Sequence, residues 1–322
     1  MNENKQKEIT IIGAAIIDVL AGPVNENVFQ TESQPMQTTK MSFGGDALNE
    51  SVALSRMGKN VQLVTKVGDD DAGKSVIDYI KSNGLSDESV MIEEGLTTGM
   101  NIVLIDNKGE RYFLTNPEGS LRKLSEADIM PYIEEAADIV CFASIFVSPL
   151  MDIDAMERVF KKIKENPNRV LAADMTKAKK GETLKDLEKI LPYVDYIFPN
   201  HEEIALITGE TDPYVNAKLL VEAGVSCAVV KNGENGCIIQ TKEKTYKIPA
   251  YKESKVIDTT GAGDCFAAGF LYGLSSGYTL EDCGYFACAT ASCAIEKVGA
   301  TEGVVSVEES TRRMNKVKEK MS

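Results

Sequence analysis

Histidine is almost absent from this chain, because His201 is the only imidazole among its 322 residues. A catalytic scheme or a zinc site that needs two or more imidazoles cannot be built from one histidine. This scarcity excludes much of hydrolase and metalloenzyme chemistry.

Positive charge is also in short supply, with 35 lysines and arginines against 49 aspartates and glutamates, a net charge of -14 at pH 7. A broad surface for a nucleic acid needs the opposite balance, since it must neutralise a polyphosphate. We therefore expect no nucleic acid partner.

Long apolar runs and closely spaced cysteine pairs are missing as well. No run reaches the roughly 18 to 20 apolar residues that cross a bilayer, and the start MNENKQKEIT lacks the apolar core of a signal peptide. The seven cysteines stand in apolar surroundings without a C-x-x-C pair, which is the pattern of reduced thiols in a core. We expect a cytoplasmic protein with no membrane partner.

The rest of the chain alternates short apolar runs with segments of helical period. This pattern is typical of a layered α/β fold with helices on both faces of a sheet. The predicted strands cover 9–15, 61–67, 139–143, 169–174, 195–198 and 227–231. The predicted helices cover 72–83, 153–165, 184–191, 202–208 and 217–223, and further helices open at the glycine-rich segments described below.

Two segments depart from this alternation, at about 20–42 and 97–118. The second contains two predicted strands joined by the turn Asp106–Gly109, and the two segments together can form a small sheet beside the main body. We see no internal repeat and no Pro/Gly-rich linker. The pattern therefore favours a single domain, residues 1–322, that carries the small sheet as a lid.

Residues 68–75, GDDDAGKS, match the phosphate-binding pattern G-x-x-x-x-G-K-[ST], which would make the protein an NTPase. Such a loop wraps backbone N–H groups around an anion, and here three consecutive aspartates would lie inside the wrap. Two like charges at about 4 Å repel by about 1 kcal/mol in water and by several times more when partly desolvated, so the aspartates outweigh Lys74. We expect instead that Asp70 or Asp71 caps a helix beginning at Ala72, with Lys74 in solvent.

A second glycine-rich segment, residues 258–270 with the sequence DTTGAGDCFAAGF, suits an anion better. A helix is predicted from about Ala262, which puts Gly261–Gly263 at a helix N-terminus, where N–H groups and the helix dipole attract an anion. Asp264 directly beside them can serve as the base that phosphoryl transfer requires. The alternative is a glycine turn in which Asp264 merely caps the helix.

The segment 43–49, FGGDALN, opens a helix near the start of the chain. Gly44 and Gly45 let the backbone approach a ligand closely, and Asn49 offers both a donor and an acceptor to a polyhydroxyl ligand. Asp18 follows the first predicted strand, at the edge where open α/β sheets bind ligands, and its carboxylate can accept hydrogen bonds from two sugar hydroxyls. The alternative for Asp18 is a solvated loop aspartate.

Asn200 and Glu203 lie three residues apart on one face at the start of a predicted helix. Such a pair can hold hydrated Mg²⁺ beside phosphates, because Mg²⁺ keeps several waters and takes few protein ligands. A capping box between the same residues explains the spacing equally well. The glycine-rich turn 231–236 joins two predicted strands and can line a nucleotide.

In this order, the segments resemble the PfkB family of carbohydrate and nucleoside kinases, from Ile9 to about Val307. Gly44 and Gly45 look like the N-terminal signature of that family, and residues 258–264 look like its D-T-x-G-A-G-D signature. A nearer resemblance, to a bacterial branch of uncharacterised sugar kinases, runs through residues 13–18, 44–50, 115–116, 119–121 and 143–146. The resemblance implies a ribokinase-like three-layer α/β/α sandwich whose small β-sheet lid closes over the sugar and often forms the dimer contact.

The resemblance also implies roles for individual residues, with Asp264 as the catalytic base. The anion hole would be formed by the N–H groups of Gly261, Ala262 and Gly263. The substrate would bind Asp18, Gly44, Gly45, Asn49, Asn101 and Asn116. ATP and Mg²⁺ would lie against Asn200, Glu203, Lys231, Gly233, Gly236 and Cys288, with Glu203 reaching Mg²⁺ through water. A K⁺ site would be formed by Asp258, Thr260, Ala294, Lys297 and Gly299. Lys231 and Cys288 depart from the pattern, because relatives commonly carry a hydroxyl-bearing residue and an asparagine there.

We therefore expect an ATP-dependent kinase in which Asp264 deprotonates a primary hydroxyl of a sugar or sugar acid. A nucleoside kinase is the alternative within the fold, although a nucleobase needs apolar cover and the lid carries the polar side chains of Asn101, Arg111, Tyr112 and Asn116. Arg111 could pair with a substrate carboxylate or lie in solvent. A catalytically idle sugar-binding regulator is the alternative of another class. A nicotinamide dehydrogenase is disfavoured, because no G-x-G-x-x-G follows the first strand. We expect a homodimer formed through the lid.

Overall fold

The computed structural model describes residues 7–321, so the polar start predicted for residues 1–6 lies outside the described part. The strands, in chain order, are β1 (Ile9–Ile12), β2 (Ile16–Val24), β3 (Thr38–Gly44), β4 (Val61–Gly68), β5 (Val90–Glu93), β6 (Met100–Asp106), β7 (Arg111–Thr115), β8 (Ile139–Ile145), β9 (Val170–Met175), β10 (Tyr196–Ile197), β11 (Cys227–Lys231), β12 (Cys237–Gln240) and β13 (Thr245–Ile248). The α-helices are α1 (Asp46–Arg56), α2 (Asp71–Ser82), α3 (Glu126–Ile133), α4 (Ile153–Lys164), α5 (Leu184–Leu187), α6 (His201–Thr208), α7 (Pro213–Glu222), α8 (Ala262–Ser275), α9 (Leu280–Ala294) and α10 (Val307–Met321).

A nine-stranded sheet forms the centre of the molecule, in the order β13-β12-β11-β10-β9-β8-β1-β4-β5. The strands from β11 through β5 in that order run parallel, and β12 and β13 add an antiparallel hairpin at one edge. Every residue of β1, β4 and β8 is buried, as expected of parallel strands that are covered on both faces.

Alternate residues of the central strands enter two hydrophobic clusters, one on each face of the sheet. Ile11 and Cys141 pack with side chains of α1, α2, α8 and α9, whereas Ile12 and Phe142 pack with side chains of α3, α4, α6 and α7. The result is a three-layer α/β/α arrangement with the core on both faces of the sheet.

A separate four-stranded sheet, in the order β3-β2-β6-β7, forms the lid. β2 pairs antiparallel with β3 and parallel with β6, and β6 and β7 form a hairpin. The predicted fold, a three-layer sandwich with a small additional sheet, is confirmed.

The lid begins earlier in the chain than predicted. The predicted strand 9–15 ends early, because β1 stops at Ile12, the chain turns at Gly13, and β2 begins at Ile16 in the other sheet. β2 already pairs with Gly44 at Ile16 and with Met100 at Ile17. Asp18 therefore lies inside a lid strand and not in a loop after the first strand.

The predicted helix 184–191 is also wrong in length. α5 starts with a capping box in which the backbone N–H and hydroxyl of Thr183 both donate to the Asp186 carboxylate, but it ends after one turn at Leu187. A 3₁₀ turn at Leu191–Tyr193 follows and contains Pro192, which disfavours helical geometry in the residue before it.

Polar residues of three neighbouring strands meet at one edge of the central sheet. Asp174 lies near the carboxyl end of β9, Asn200 follows β10, and Lys231 ends β11. This is the edge at which open parallel sheets bind ligands. Within residues 7–321, none of the helices has the length and apolar character needed to cross a bilayer.

Candidate active site

The glycine-rich loop before α8 has the geometry of a helix N-terminus. Gly261 is the N-cap residue and adopts a left-handed conformation with φ of 70°. A Cβ at this position would lie 2.7 Å from the Cα of Ala300, so a glycine is required. The first N–H groups of a helix have no intrahelical acceptor and carry its positive dipole end, which favours an anion at this loop. The N–H of Ala262 also donates within the loop, to the Thr259 carbonyl at 3.2 Å.

Asp264 lies in the first turn of α8 and is held by α1. Its carboxylate accepts a hydrogen bond from the Nδ2 of Asn49 at 2.7 Å. Burial raises the pKa of Asp264 to about 6, and the negative charge of Asp174 adds to the rise, while Asn49 and Lys231 oppose it. A carboxylate with such a pKa is a stronger base than an exposed aspartate and still ionises at neutral pH.

Asp18 faces the cleft from β2 beside Asn101. The two residues are register partners on β2 and β6, and the Asn101 Nδ2 donates to Asp18 at 2.8 Å. The Oδ1 of Asn101 is buried and has no protein partner among the described residues, so it can accept a hydrogen bond from a ligand. A Cβ on Gly44 would lie 2.5 Å from the Asp18 carboxylate, so the absence of a side chain at Gly44 makes room for Asp18.

The inner face of the lid and the first turn of α1 line one cleft. The residues that line it include Asp18, Leu20, Lys40, Ser42, Asn49, Val103, Arg111, Phe113, Asp258 and Thr260. Gly45 is the N-cap residue of α1 with φ of 94° and supports the turn into that helix. Asn116 is not brought to this group, because its Oδ1 accepts the N–H of Glu118 at 2.9 Å in the turn after β7.

Asn200 and Glu203 form the capping box that the sequence offered as one alternative. The Glu203 N–H donates to Asn200 and the Asn200 N–H donates to Glu203, each at 2.8 Å. Burial raises the pKa of Glu203 to about 7; the charge of Lys231 opposes the rise, and that of Asp174 adds to it. Glu203 therefore forms the capping box and also lies close enough to Lys231 and Asp174 for their charges to affect its pKa.

Lys231 lies between Asp174 and the glycine-rich loop. Its Nζ contacts both carboxylate oxygens of Asp174, at 2.9 and 2.8 Å. A Cβ on Gly263 would lie 3.4 Å from this nitrogen, so the ammonium is next to the glycine-rich loop. Asp174 is a site residue that was not predicted, although a carboxylate at the end of a predicted strand of a parallel sheet is itself a signal.

The other residues predicted to bind the nucleotide occupy the turn after β11 and the packing behind it. Gly233 and Gly236 have φ of 53° and 86° in the turn to β12. A Cβ on Gly236 would lie 2.7 Å from the Ala250 nitrogen. Cys288 is buried on α9, with its sulfur 4.0 Å from that of Cys237 on β12.

The expected K⁺ donors fit poorly, because the Asp258 carboxylate is already occupied. It accepts the N–H of Thr260 at 3.0 Å, the hydroxyl of Thr260 at 2.7 Å and the N–H of Gly299 at 3.1 Å. The guanidinium of Arg111 donates to the same carboxylate at 2.8 Å and also contacts the Thr260 hydroxyl. The carbonyl of Ala294 accepts the N–H of Lys297 at 3.4 Å. We therefore assign no step of the chemistry to K⁺.

The loop 68–75 has the expected helix-cap geometry, with α2 starting at Asp71. Asp70 is the N-cap of α2, and its carboxylate accepts the Gly73 N–H at 2.8 Å. Lys74 pairs with Asp71 at 3.0 Å with 70% of its side chain exposed. The N-terminal N–H groups that an anion would need are thus partly used by the loop's own aspartate.

Comparison with known proteins identifies the family of this chain. The model of the pfkB family of carbohydrate kinases matches residues 6–306. An uncharacterized sugar kinase of Archaeoglobus fulgidus is 32% identical over 254 residues, which cover 79% of this chain and 98% of that protein. A nucleoside kinase of Methanocaldococcus jannaschii is 25% identical over 97% of this chain and 98% of its own length.

The solved structure of Arabidopsis thaliana ribokinase complexed with ribose and ATP has the same fold. It superimposes with a TM-score of 0.80 at 21% identity, over 95% of this chain and 98% of that chain. The fold and site thus define a ribokinase-like phosphotransferase. The chain belongs to the pfkB family of carbohydrate kinases.

Proposed function

We propose that this protein transfers the γ-phosphoryl group of ATP to a primary hydroxyl of a sugar or sugar acid. The observation that carries the proposal is the position of Asp264. It is a half-buried carboxylate in the first turn of α8, beside the glycine-rich loop, and Asn49 holds it from the helix that also lines the lid cleft. A base and an anion site are thereby adjacent, which is the arrangement that in-line phosphoryl transfer requires.

In the proposed reaction, Asp264 accepts the proton of the attacking hydroxyl. The hydroxyl oxygen forms a bond to the γ-phosphorus while the bond to the bridging oxygen breaks and ADP leaves. The N–H groups of Gly261–Gly263 and the dipole of α8 stabilise the charge on the transferring group. Asp18 and Asn101 would hold hydroxyls that do not react, because Asp18 lines the cleft and Asn101, which is hydrogen-bonded to it, has an unused buried acceptor.

Mg²⁺ would be held near Glu203, which is a half-buried carboxylate with its pKa raised to about 7 by desolvation and is therefore suited to a nearby cation. When bound, Mg²⁺ neutralises charge on the β and γ phosphates and typically keeps several waters, so one carboxylate acting through water is sufficient. Asn200, Gly233, Gly236 and Cys288 remain the proposed nucleotide-side residues. K⁺, which the resemblance implied, has no role in this mechanism.

A sugar acid is included because the inner face of the lid carries two cations, Lys40 and Arg111. Lys40 can pair with a substrate carboxylate, whereas Arg111 already pairs with the Asp258 carboxylate. A nucleoside is the second candidate substrate, since Leu20, Val103 and Phe113 line the same cleft and offer an apolar cover for a base.

A coupled ADP-release screen over ketoses, aldoses, sugar acids and nucleosides tests the proposal. We expect turnover with a sugar or sugar acid and little with nucleosides. A preference for nucleosides would select the second candidate. Sugar binding in isothermal titration without ADP release from any acceptor would select a catalytically idle sugar-binding regulator.

We also propose a homodimer and a cytoplasmic location. The outer face of the lid exposes Met41, Ile102, Tyr112 and Leu114, each with more than two fifths of its surface open, and an apolar face of this kind suits a second copy of the chain. All seven cysteines are free and buried, which fits a reducing compartment.

A further inference from the structure

The candidate active site contains a buried ion pair that the mechanism above does not use. The side chain of Lys231 is 12% exposed and that of Asp174 is 4% exposed, and their charged atoms lie 2.8 Å apart. Removing two charges from water is costly, so a buried pair contributes little to stability when compared with apolar packing. The presence of this ion pair beside the glycine-rich loop therefore needs an explanation other than stability.

Strand order brings the pair together. β10 lies between β9 and β11, and Asn200, directly beyond β10, bridges to the backbone of Lys231. Asp174 and Lys231 therefore extend from the same edge of the sheet, where Asn200 and Glu203 also lie. The long lysine side chain crosses the carboxyl end of β10 to reach Asp174.

The surroundings of Lys231 favour a charged ammonium. Burial alone would lower its pKa, but the carboxylates of Asp174, Glu203 and Asp264 raise the pKa of Lys231 above its ordinary value. The nitrogen lies 3.4 Å from the position that a Cβ of Gly263 would occupy, and glycine puts no side chain between them. A permanent cation thus stands beside the loop proposed to hold the transferring group.

We propose that Lys231 is a catalytic residue that donates a hydrogen bond to the γ-phosphoryl group during transfer, and that Asp174 is the positioning residue that holds its ammonium at the glycine-rich loop. The inference rests on the proposed kinase function. Charge in this reaction is spread over the equatorial oxygens of the phosphoryl group, where a point charge is effective. Lys231 keeps its proton throughout, since the proton of the acceptor hydroxyl goes to Asp264.

Nucleotide binding provides a test that does not need turnover. Lys231→Met should weaken binding of the ATP analogue AMP-PNP by about tenfold or more and leave ADP within about twofold of wild type, because only the analogue has a γ-phosphoryl group. Isothermal titration measures both affinities. Equal losses for the two nucleotides, or no loss for either, would overturn the inference.

Kinetics provide the second readout. On the best acceptor of the screen, Lys231→Met should lower kcat by about 100-fold with the sugar KM within about twofold, and Lys231→Arg should recover part of the loss. Asp174→Asn should lower kcat by about tenfold, because the ammonium is present but no longer held. Wild-type kcat in Lys231→Met would contradict the role of the lysine, and wild-type kcat in Asp174→Asn would contradict that of the aspartate.

A matched control exists on the opposite edge of the same sheet. Lys164 ends α4 and pairs with Asp195, which precedes β10, at 2.8 Å with both side chains partly buried. Lys164→Met and Asp195→Asn remove a comparable pair far from the proposed site, and both should keep kcat within about twofold of wild type. A loss of kcat in these controls as large as that in Lys231→Met would show that general destabilisation explains the effect.

Folding is controlled by a double variant. Lys231→Met alone leaves Asp174 buried without its partner, whereas Lys231→Met with Asp174→Leu removes both charges and should unfold near the wild-type temperature. The folded double variant must still bind AMP-PNP more weakly than wild type does, with its affinity for ADP unchanged. If the variants show this selective loss but wild type phosphorylates no acceptor, the proposed function fails and the γ-phosphoryl contact stands. If wild type is active and the double variant binds AMP-PNP as wild type does, the contact fails alone.

Discussion

Asp264 must be ionised to accept a proton, and its surroundings determine the pH at which it ionises. Burial raises its pKa to about 6, so the carboxylate is the minority form below that pH. We predict that kcat is nearly constant above pH 7 and falls by about tenfold per pH unit well below pH 6. The profile should be measured at saturating Mg²⁺, because a bound cation lowers the pKa of Glu203 and removes its titration from this range. An acid limb centred near pH 4 would contradict the assignment.

Asp18, which lines the lid cleft, has an expected role different from that of Asp264. Because it would contact hydroxyls that do not react, its loss removes binding that is equal in the ground state and the transition state. We predict that Asp18→Ala raises the sugar KM by about tenfold or more, with kcat and the ATP KM within about threefold of wild type. Initial-rate kinetics with each substrate varied separately measure this split. A large fall in kcat at unchanged KM would instead place Asp18 in the chemical step.

At the scale of elements, the side chain of Arg111 joins the lid to the glycine-rich segment before α8. Arg111 of β7 reaches the Asp258 carboxylate and the Thr260 hydroxyl at the start of the loop that leads to α8. Burial would raise the pKa of Asp258, but Thr260, Gly299 and Arg111 together lower it, so this carboxylate stays charged and keeps its partners. The guanidinium thereby supplies the positive charge that K⁺ was expected to supply.

We predict that wild type turns over at rates within about twofold in KCl and in choline chloride at equal ionic strength. Arg111→Gln should lose about tenfold in kcat, and KCl should restore part of that loss, because the vacated carboxylate can then take a cation. Lys108→Gln, in the exposed turn of the same hairpin, is the control. A several-fold activation of wild type by KCl would restore the K⁺ site that the resemblance implies.

Elements with a clear period were predictable, and those fixed by tertiary pairing were not. The apolar run 61–67 and the helical period of 153–165 closely match β4 and α4. The departure of β2 from the central sheet depends on pairing with β3 and β6, which no local pattern in residues 9–24 encodes. The glycine-rich signature located Asp264, but its hydrogen bond to Asn49 spans 215 residues and depends on the packing of α1 against α8.

Asp174 shows the same limit within the site. The sequence shows only an aspartate at the end of an apolar strand, and many strands have this feature. Its importance comes from Lys231, two strands away across β10, and from the burial of both side chains. The sequence predicts that Lys231 lies against ATP, and the structure adds that its ammonium is paired with the Asp174 carboxylate.

At the scale of the whole molecule, the lid has two faces with different expected partners. Met41, Ile102 and Leu114 lie in one cross-strand row with Val19 on the outer face, while Lys40 and Arg111 belong to the inner face toward the cleft. We predict that wild type sediments at twice its chain mass of 35.0 kDa. Ile102→Lys with Leu114→Lys should sediment as a monomer, because burying two lysines at the interface is costly. Sedimentation equilibrium distinguishes these states, and a monomeric wild type would contradict the dimer.

The central claim is that Asp264 is the base of a phosphoryl transfer, and one substitution tests it most directly. Asp264→Asn keeps the size and polarity of the side chain but cannot take the proton. We predict that kcat on the best acceptor falls by about 10² to 10⁴ while ATP and sugar still bind. Asp71→Asn, at an exposed aspartate in the first turn of α2, is the matched control and should keep wild-type kcat. If Asp264→Asn unfolds at the wild-type temperature and keeps more than about a tenth of wild-type kcat, Asp264 is not the base.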